Sequence, residues 1–88
     1  MRYRVSGDAL TATLSDGAVL LNLYSKRYFS LNETGTRVWG LLEQDAELDD
    51  IVRTLAGEYD VAESDARRAV MALVAELLAE GLVVGASG

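Results

Sequence analysis

The spacing of apolar positions changes rhythm once along the chain. Up to Leu31 apolar residues alternate with polar ones or run together, whereas from Asn32 onward they recur every three or four residues. Leu10-Thr-Ala-Thr-Leu14 alternates and is rich in strand formers, and Ser15-Asp16-Gly17 supplies turn chemistry after it. Ala18-Val-Leu-Leu-Asn-Leu23 reads as a well-buried second strand. Tyr24-Ser25-Lys26 makes the next reversal. Arg27-Tyr-Phe-Ser-Leu31 is then a third strand, with Phe29 and Leu31 on one face and Tyr28 and Ser30 on the other. The expected sheet is a three-stranded antiparallel meander, and the pattern leaves open whether residues 2–6 add to it.

Three helices are expected next, which makes the fold class α+β. Asn32 is a good N-cap for a helix of about three turns. On it Val38, Leu41 and Leu42, with Thr34 a turn earlier, share one side and Trp39 lies beside them. A second helix starts near Leu48, with Asp49 and Asp50 at its positive end and Ile51, Val52, Leu55 and Tyr59 on its inner face. It should end by Glu58, near Gly57. Asp60-Val-Ala-Glu63 has capping-box spacing, and Gly81-Leu82 reads as a left-handed C-cap with its apolar follower. A third helix of about 20 residues fits between them.

That third helix carries two stripes. Ala66, Val70, Leu73 and Leu77 follow one helical face and are expected, with Trp39, in the core. Arg67, Met71, Val74 and Leu78 lie about 100° around the axis and widen the apolar face beyond what one packing contact needs. The third strand is an edge of the meander, and an edge strand can accept an extended peptide as a further strand. The expectation is therefore a peptide-binding groove. Its ladder is Arg27, Tyr28, Phe29, Ser30 and Leu31, and its helical wall is Arg67, Met71, Val74 and Leu78.

Composition narrows the chemistry. The chain of 88 residues is 50% apolar, which suits one ordered domain over residues 1–88, with the tail from about residue 85 expected to be loose. With no His and no Cys, zinc sites, thiol redox pairs and Cys or Ser–His nucleophiles lack their groups. Neither a metal nor a cofactor nor a catalytic residue is expected. Asp45, Glu47, Asp49 and Asp50 cluster, but in a connection and a helix start, where such residues cap and stay solvated. Gly35 and Gly40 fall inside a helical pattern instead of a phosphate loop, and Gly35 suits close backbone approach. No run approaches the roughly 20 apolar residues of a membrane span, and residues 1–8 do not form an apolar signal core, so a cytoplasmic protein is expected, with no membrane partner.

Charge argues against nucleic acid. The net charge is −6, divided between five basic and three acidic groups in residues 1–40 and three basic and eleven acidic groups in residues 41–88. Phosphate backbones need the reverse balance. Two alternatives to peptide binding remain at this level. One is a winged-helix DNA-binding protein, for which Arg67 and Arg68 are the single cationic pair on the third helix. The other is a self-associating structural domain.

Val19-Leu-Leu-Asn-Leu23, Arg27-Tyr-Phe-Ser-Leu-Asn32, Thr34-Gly35, Val38-Trp39, Leu41-Leu42, Ile51-Val52, Tyr59-Asp-Val61 and Leu77-x-x-x-Gly81-Leu82 together resemble the PqqD-like family, the RiPP recognition elements. The resemblance spans about residues 10 to 84, and Leu-Asn-x-Thr-Gly-x-x-Val-Trp is its most specific part. Tyr-Phe-x-Leu-Asn in a free-standing chain most resembles the leader-binding subunits of lasso peptide clusters. The resemblance implies a winged-helix-like domain without catalytic activity. Such a domain captures the leader segment of a precursor peptide antiparallel to the third strand and against the third helix. Its implied partners are a leader peptidase and an ATP-dependent macrolactam-forming cyclase. Two positions depart from the family pattern: Lys26 stands where Gly is frequent, and Ala69 stands where an acidic residue often precedes the valine matching Val70.

Overall fold

The structure, a computed structural model, describes residues 2–86. In chain order it has β1 (Arg2–Val5), β2 (Ala9–Leu14), β3 (Gly17–Asn22), β4 (Arg27–Leu31), α1 (Glu33–Glu43), α2 (Leu48–Tyr59), α3 (Glu63–Ala79) and β5 (Val83–Ala86). The expected meander is β2-β3-β4, antiparallel throughout, and the three helices follow it. No helix among the described residues is long and apolar enough to cross a membrane.

One element pair was not legible in the chain. β1 and β5 form a separate two-stranded antiparallel sheet, with Arg2 opposite Ala86 and Val5 opposite Val83. Residues 85 and 86, expected in a loose tail, therefore belong to a strand. The rest of that tail, residues 87–88, lies outside the described residues.

Alternation sets the faces of the larger sheet. Ala18, Leu20 and Asn22 of β3 point inward and are buried, and their partners on β4 are Leu31, Phe29 and Arg27. α1 covers this inner face: Trp39 is buried there and its Nε1 donates to the Thr11 Oγ1 of β2 at 3.0 Å. Ile51, Val52 and Leu55 of α2 and Ala66, Val70, Val74 and Leu77 of α3 complete the core. Tyr59, expected on the inner face of α2, is exposed because it falls in that helix's last turn.

The three helices end alike. In each, a left-handed residue lets an N–H reach back five residues: Ala46 to the Leu41 carbonyl, Val61 to that of Ala56 and Leu82 to that of Leu77. The left-handed residues are Asp45, Asp60 and Gly81. At Gly81 this is the expected cap, with Leu82 and Leu77 both buried as its apolar pair. At Asp60 the outcome differs from expectation. Asp60 closes α2 instead of opening α3, whose N-cap is Ala62 with no side-chain cap bond. Asn32 caps α1 as expected, its Oδ1 accepting the Gly35 N–H at 2.8 Å.

Lys26 also adopts a left-handed conformation, with φ of 66°. This is the position where the family pattern favours Gly, so the turn keeps its shape at a steric cost of about 1 to 2 kcal/mol. Lys26→Gly removes that cost but loosens the unfolded chain, leaving a net gain of about 0.5 to 1 kcal/mol. We expect the variant to melt roughly 3 to 6 °C higher in a calorimetric scan. A lower melting temperature would contradict the strain assigned to this turn.

Candidate functional site

β4 pairs with β3 on one side only, and among the described residues nothing pairs with its other side. A cavity of about 280 Å³ lies beside this open edge. β4 contributes Phe29, Ser30 and Leu31, and α3 contributes Ala69, Val70, Leu73 and Glu76. Its floor is the start of α1, at Thr34 and Gly35, with Val38 and Leu55 beneath. Gly35 fits the role expected for it. A Cβ there would press on the Leu31 side chain at 3.1 Å and the Asn32 Oδ1 at 3.2 Å, so any side chain would crowd the cap and fill the floor.

A second cavity of about 420 Å³ continues the first, sharing Thr34, Leu55 and Ala69 with it. Tyr59, Val61 and Ala66 extend it toward the α2–α3 turn. Together they make one apolar trough from the β4 edge, across the start of α1, to the C-terminal end of α2.

The helical wall of this trough is not the expected one. Val74 is only 1% exposed and belongs to the core, where it follows Ala66 and Val70 at four-residue intervals. Arg67 turns to α2, its Nη1 lying 2.9 Å from the Asp49 Oδ1. The hydrogen bond and charge of Arg67 hold the Asp49 carboxyl below the usual carboxylate range. Met71 and Leu78 are 41% and 40% exposed and line neither cavity. The wall is the opposite flank of α3. Ala69, Leu73 and Glu76 follow the i, i+4, i+7 rule there, and Leu73 is half-buried instead of being core. Helical steps of 100° place Leu73 about 160° from Met71 around the axis.

Two contacts set the spacing between β4 and α3 at the far end. Arg27 forms a two-point ion pair with Glu80, Nε to Oε1 at 3.0 Å and Nη2 to Oε2 at 3.3 Å. Its side chain is thereby engaged, while its backbone remains on the β4 edge. Asn22, a buried polar residue, ties the same corner together. Its Nδ2 donates to the Glu80 carbonyl at 2.9 Å, and its Oδ1 accepts from the N–H groups of Tyr24 and Ser25 at 2.9 and 3.1 Å. One side chain thus fixes both the β3–β4 turn and the end of α3. The signal for it was present, since a lone amide inside Leu-Leu-Asn-Leu must find partners once buried.

Comparison with known proteins identifies the fold and the family. The family model for coenzyme PQQ synthesis protein D (PqqD) matches residues 17–83. Among solved structures, TbiB1 in complex with the TbiA(beta) leader peptide superposes with a TM-score of 0.89 at 29% identity, over 97% of this chain and 99% of that one. Lasso peptide synthetase B1 complexed with the leader peptide gives a TM-score of 0.85 at 30% identity, over 94% of this chain and 98% of that one. Among curated proteins none matches this sequence significantly. With most of its length accounted for by one family and its fold matched from end to end, the chain belongs to the PqqD family, as a PqqD-like RiPP recognition element.

Proposed function

We propose that this chain binds the leader segment of a lasso precursor peptide as an added strand on β4, catalyses nothing itself, and delivers the peptide in the cytoplasm to a leader peptidase and an ATP-dependent cyclase. The observation that carries this reading is the open β4 edge running beside an apolar trough. The ladder residues are Arg27 to Leu31 through their backbones. The wall is Ala69, Leu73 and Glu76, in place of Arg67, Met71, Val74 and Leu78. Both similar solved structures are leader-peptide complexes, which supports the same ligand class here.

Energetics divide the work between backbone and pockets. Each ladder bond nets about 1 kcal/mol and is indifferent to sequence, whereas each fully buried apolar anchor adds about 1.5 to 3 kcal/mol. Selectivity therefore resides in the trough. An antiparallel strand on β4 starts at the Leu31 end and leaves at the Arg27 end. Residues preceding the paired stretch meet Leu55, Tyr59 and Val61, and the segment to be processed emerges past the Arg27–Glu80 pair.

The DNA-binding alternative is disfavoured by a specific observation. Arg67 and Arg68, the cations a DNA-reading α3 requires, are paired with Asp49 at 2.9 Å and with Asp65 at 3.6 Å.

The test is a titration of labelled protein with the synthetic leader encoded beside its gene, followed by amide exchange and backbone chemical shifts. Protection is expected at the β4 amides facing outward from the sheet, with shifts at Ala69 and Leu73. Shifts confined to the Met71 and Leu78 flank, or an unprotected β4, would refute the groove assigned here.

A further inference from the structure

The cavity between β4 and α3 carries charge at one end only. Among the described residues that line it, Glu76 is the single ionisable one, and it belongs to none of the ion pairs. Glu80, one turn further along α3, is in the opposite condition, because Arg27 already neutralises it. The groove therefore offers a peptide one uncompensated negative charge, at a fixed place.

That place follows from register. α3 runs antiparallel to β4: Ala69 lies with Thr34 beyond the Leu31 end, and Glu80 is paired with Arg27 at the other. From Glu80 to Glu76 the helix axis falls by about 6 Å. From Arg27 to Phe29 the strand advances by about 6.8 Å. Glu76 is thus level with Phe29, and both line the cavity. Phe29 and Leu31 are register partners of the inward-pointing Leu20 and Ala18, and directly opposed residues of a ladder point to the same face. A leader residue opposite Leu31 faces the apolar stretch at Thr34, Ala69 and Leu73. The residue two positions later, opposite Phe29, faces Glu76.

An added strand takes water from the Glu76 carboxylate, and a desolvated charge without a partner costs the complex affinity. Lys or Arg opposite Phe29 supplies the countercharge, with a stem that covers Phe29 and Leu73. An acidic residue there is repelled. The net charge of −6 favours cationic peptides in general but does not say where their charge belongs.

We propose that Glu76 is a specificity-determining residue, which selects leaders carrying Lys or Arg two positions after the apolar anchor seated opposite Leu31. The inference rests on the leader-binding reading and adds to it the one charged side chain the groove demands. Peptides that match the apolar pattern alone are rejected by the same carboxylate.

The experiment is fluorescence polarisation with the full chain. The synthetic leader encoded beside its gene is made with Lys, Ala or Glu in turn at each ladder position, and an alanine scan of the peptide locates the anchor. At the second position after the anchor, wild type is expected to bind the Lys peptide at least tenfold more tightly than the Glu peptide, with at most about threefold at the neighbouring positions. Glu76→Gln should reduce the tenfold preference to the level of the neighbours, and Glu76→Lys should invert it. Glu76 is exposed, so both variants keep the fold. Glu43→Lys changes net charge equally at the exposed end of α1, outside both cavities, and should leave the wild-type preference in place. A preference that neither Glu76 variant alters overturns the proposal, as does one that Glu43→Lys abolishes equally or one found at another position. A natural leader with Asp or Glu at that position overturns it too. Failure of wild type to bind any of these peptides would instead overturn the underlying reading.

Discussion

Leu73→Asp is expected to weaken leader binding by roughly 30- to 150-fold, because one apolar anchor contributes about 2 to 3 kcal/mol when a ligand buries it. Leu73 is half-buried and lines the cavity between β4 and α3, so a carboxylate there stays solvated in the free protein and is stranded by a bound peptide. The free protein should keep its helical circular dichroism. Met71→Asp and Leu78→Asp are the matched controls. They sit on the other flank of the same helix, outside both cavities, and should leave leader affinity within about twofold. If Met71→Asp or Leu78→Asp impaired binding while Leu73→Asp did not, the trough would be on the wrong side of α3. Val74→Asp answers a different question: its site is core, and a buried carboxylate there should unfold the domain.

Trp39→Ala is expected to be the most damaging single truncation for stability. The side chain is buried between α1 and the inner sheet face and donates to Thr11 Oγ1. Removing so large an aromatic costs about 3 to 5 kcal/mol. A domain of this length is stable by only about 4 to 13 kcal/mol in total. The melting temperature should fall by about 20 °C or more. Trp39→Phe, which keeps most of the apolar volume and leaves only the Thr11 hydroxyl without its donor, should cost much less and retain leader binding. Backbone circular dichroism is the readout, since this is the single tryptophan of the chain. A Trp39→Ala melt within a few degrees of wild type would remove Trp39 from the core.

What could be read from the chain follows from how local each signal is. The strands at Leu10–Leu14 and Arg27–Leu31, the Asn32 cap and the Gly81 cap are all set by residues within one turn of each other, and all form as expected. The β1–β5 pair is different: two four-residue strands meet across nearly the whole length of the chain, and no turn residue joins them. The cavity-lining flank of α3 differs from the expected one for another reason. A helix with a central apolar stripe has two shoulders, and which shoulder faces β4 is decided by the handedness of the tertiary arrangement, which residue spacing does not encode. The exposed shoulder holds Met71 and Leu78 and looks apolar. The one facing the trough holds Ala69, Leu73 and the stem of Glu76, and looks mixed. Pattern strength pointed to the shoulder outside the trough, because it weighs large apolar residues above the small and amphipathic ones that line the cavity.

The β1–β5 ladder has a practical corollary. Arg2 and Ala86 are register partners, so their Cα atoms sit about 5 Å apart. Both junctions of a fusion would emerge side by side, as through a single neck, and the domain can be spliced as a cassette into a surface loop of a larger enzyme without stretching either splice point. Attached in this way, it would bring its cargo wherever that host enzyme goes.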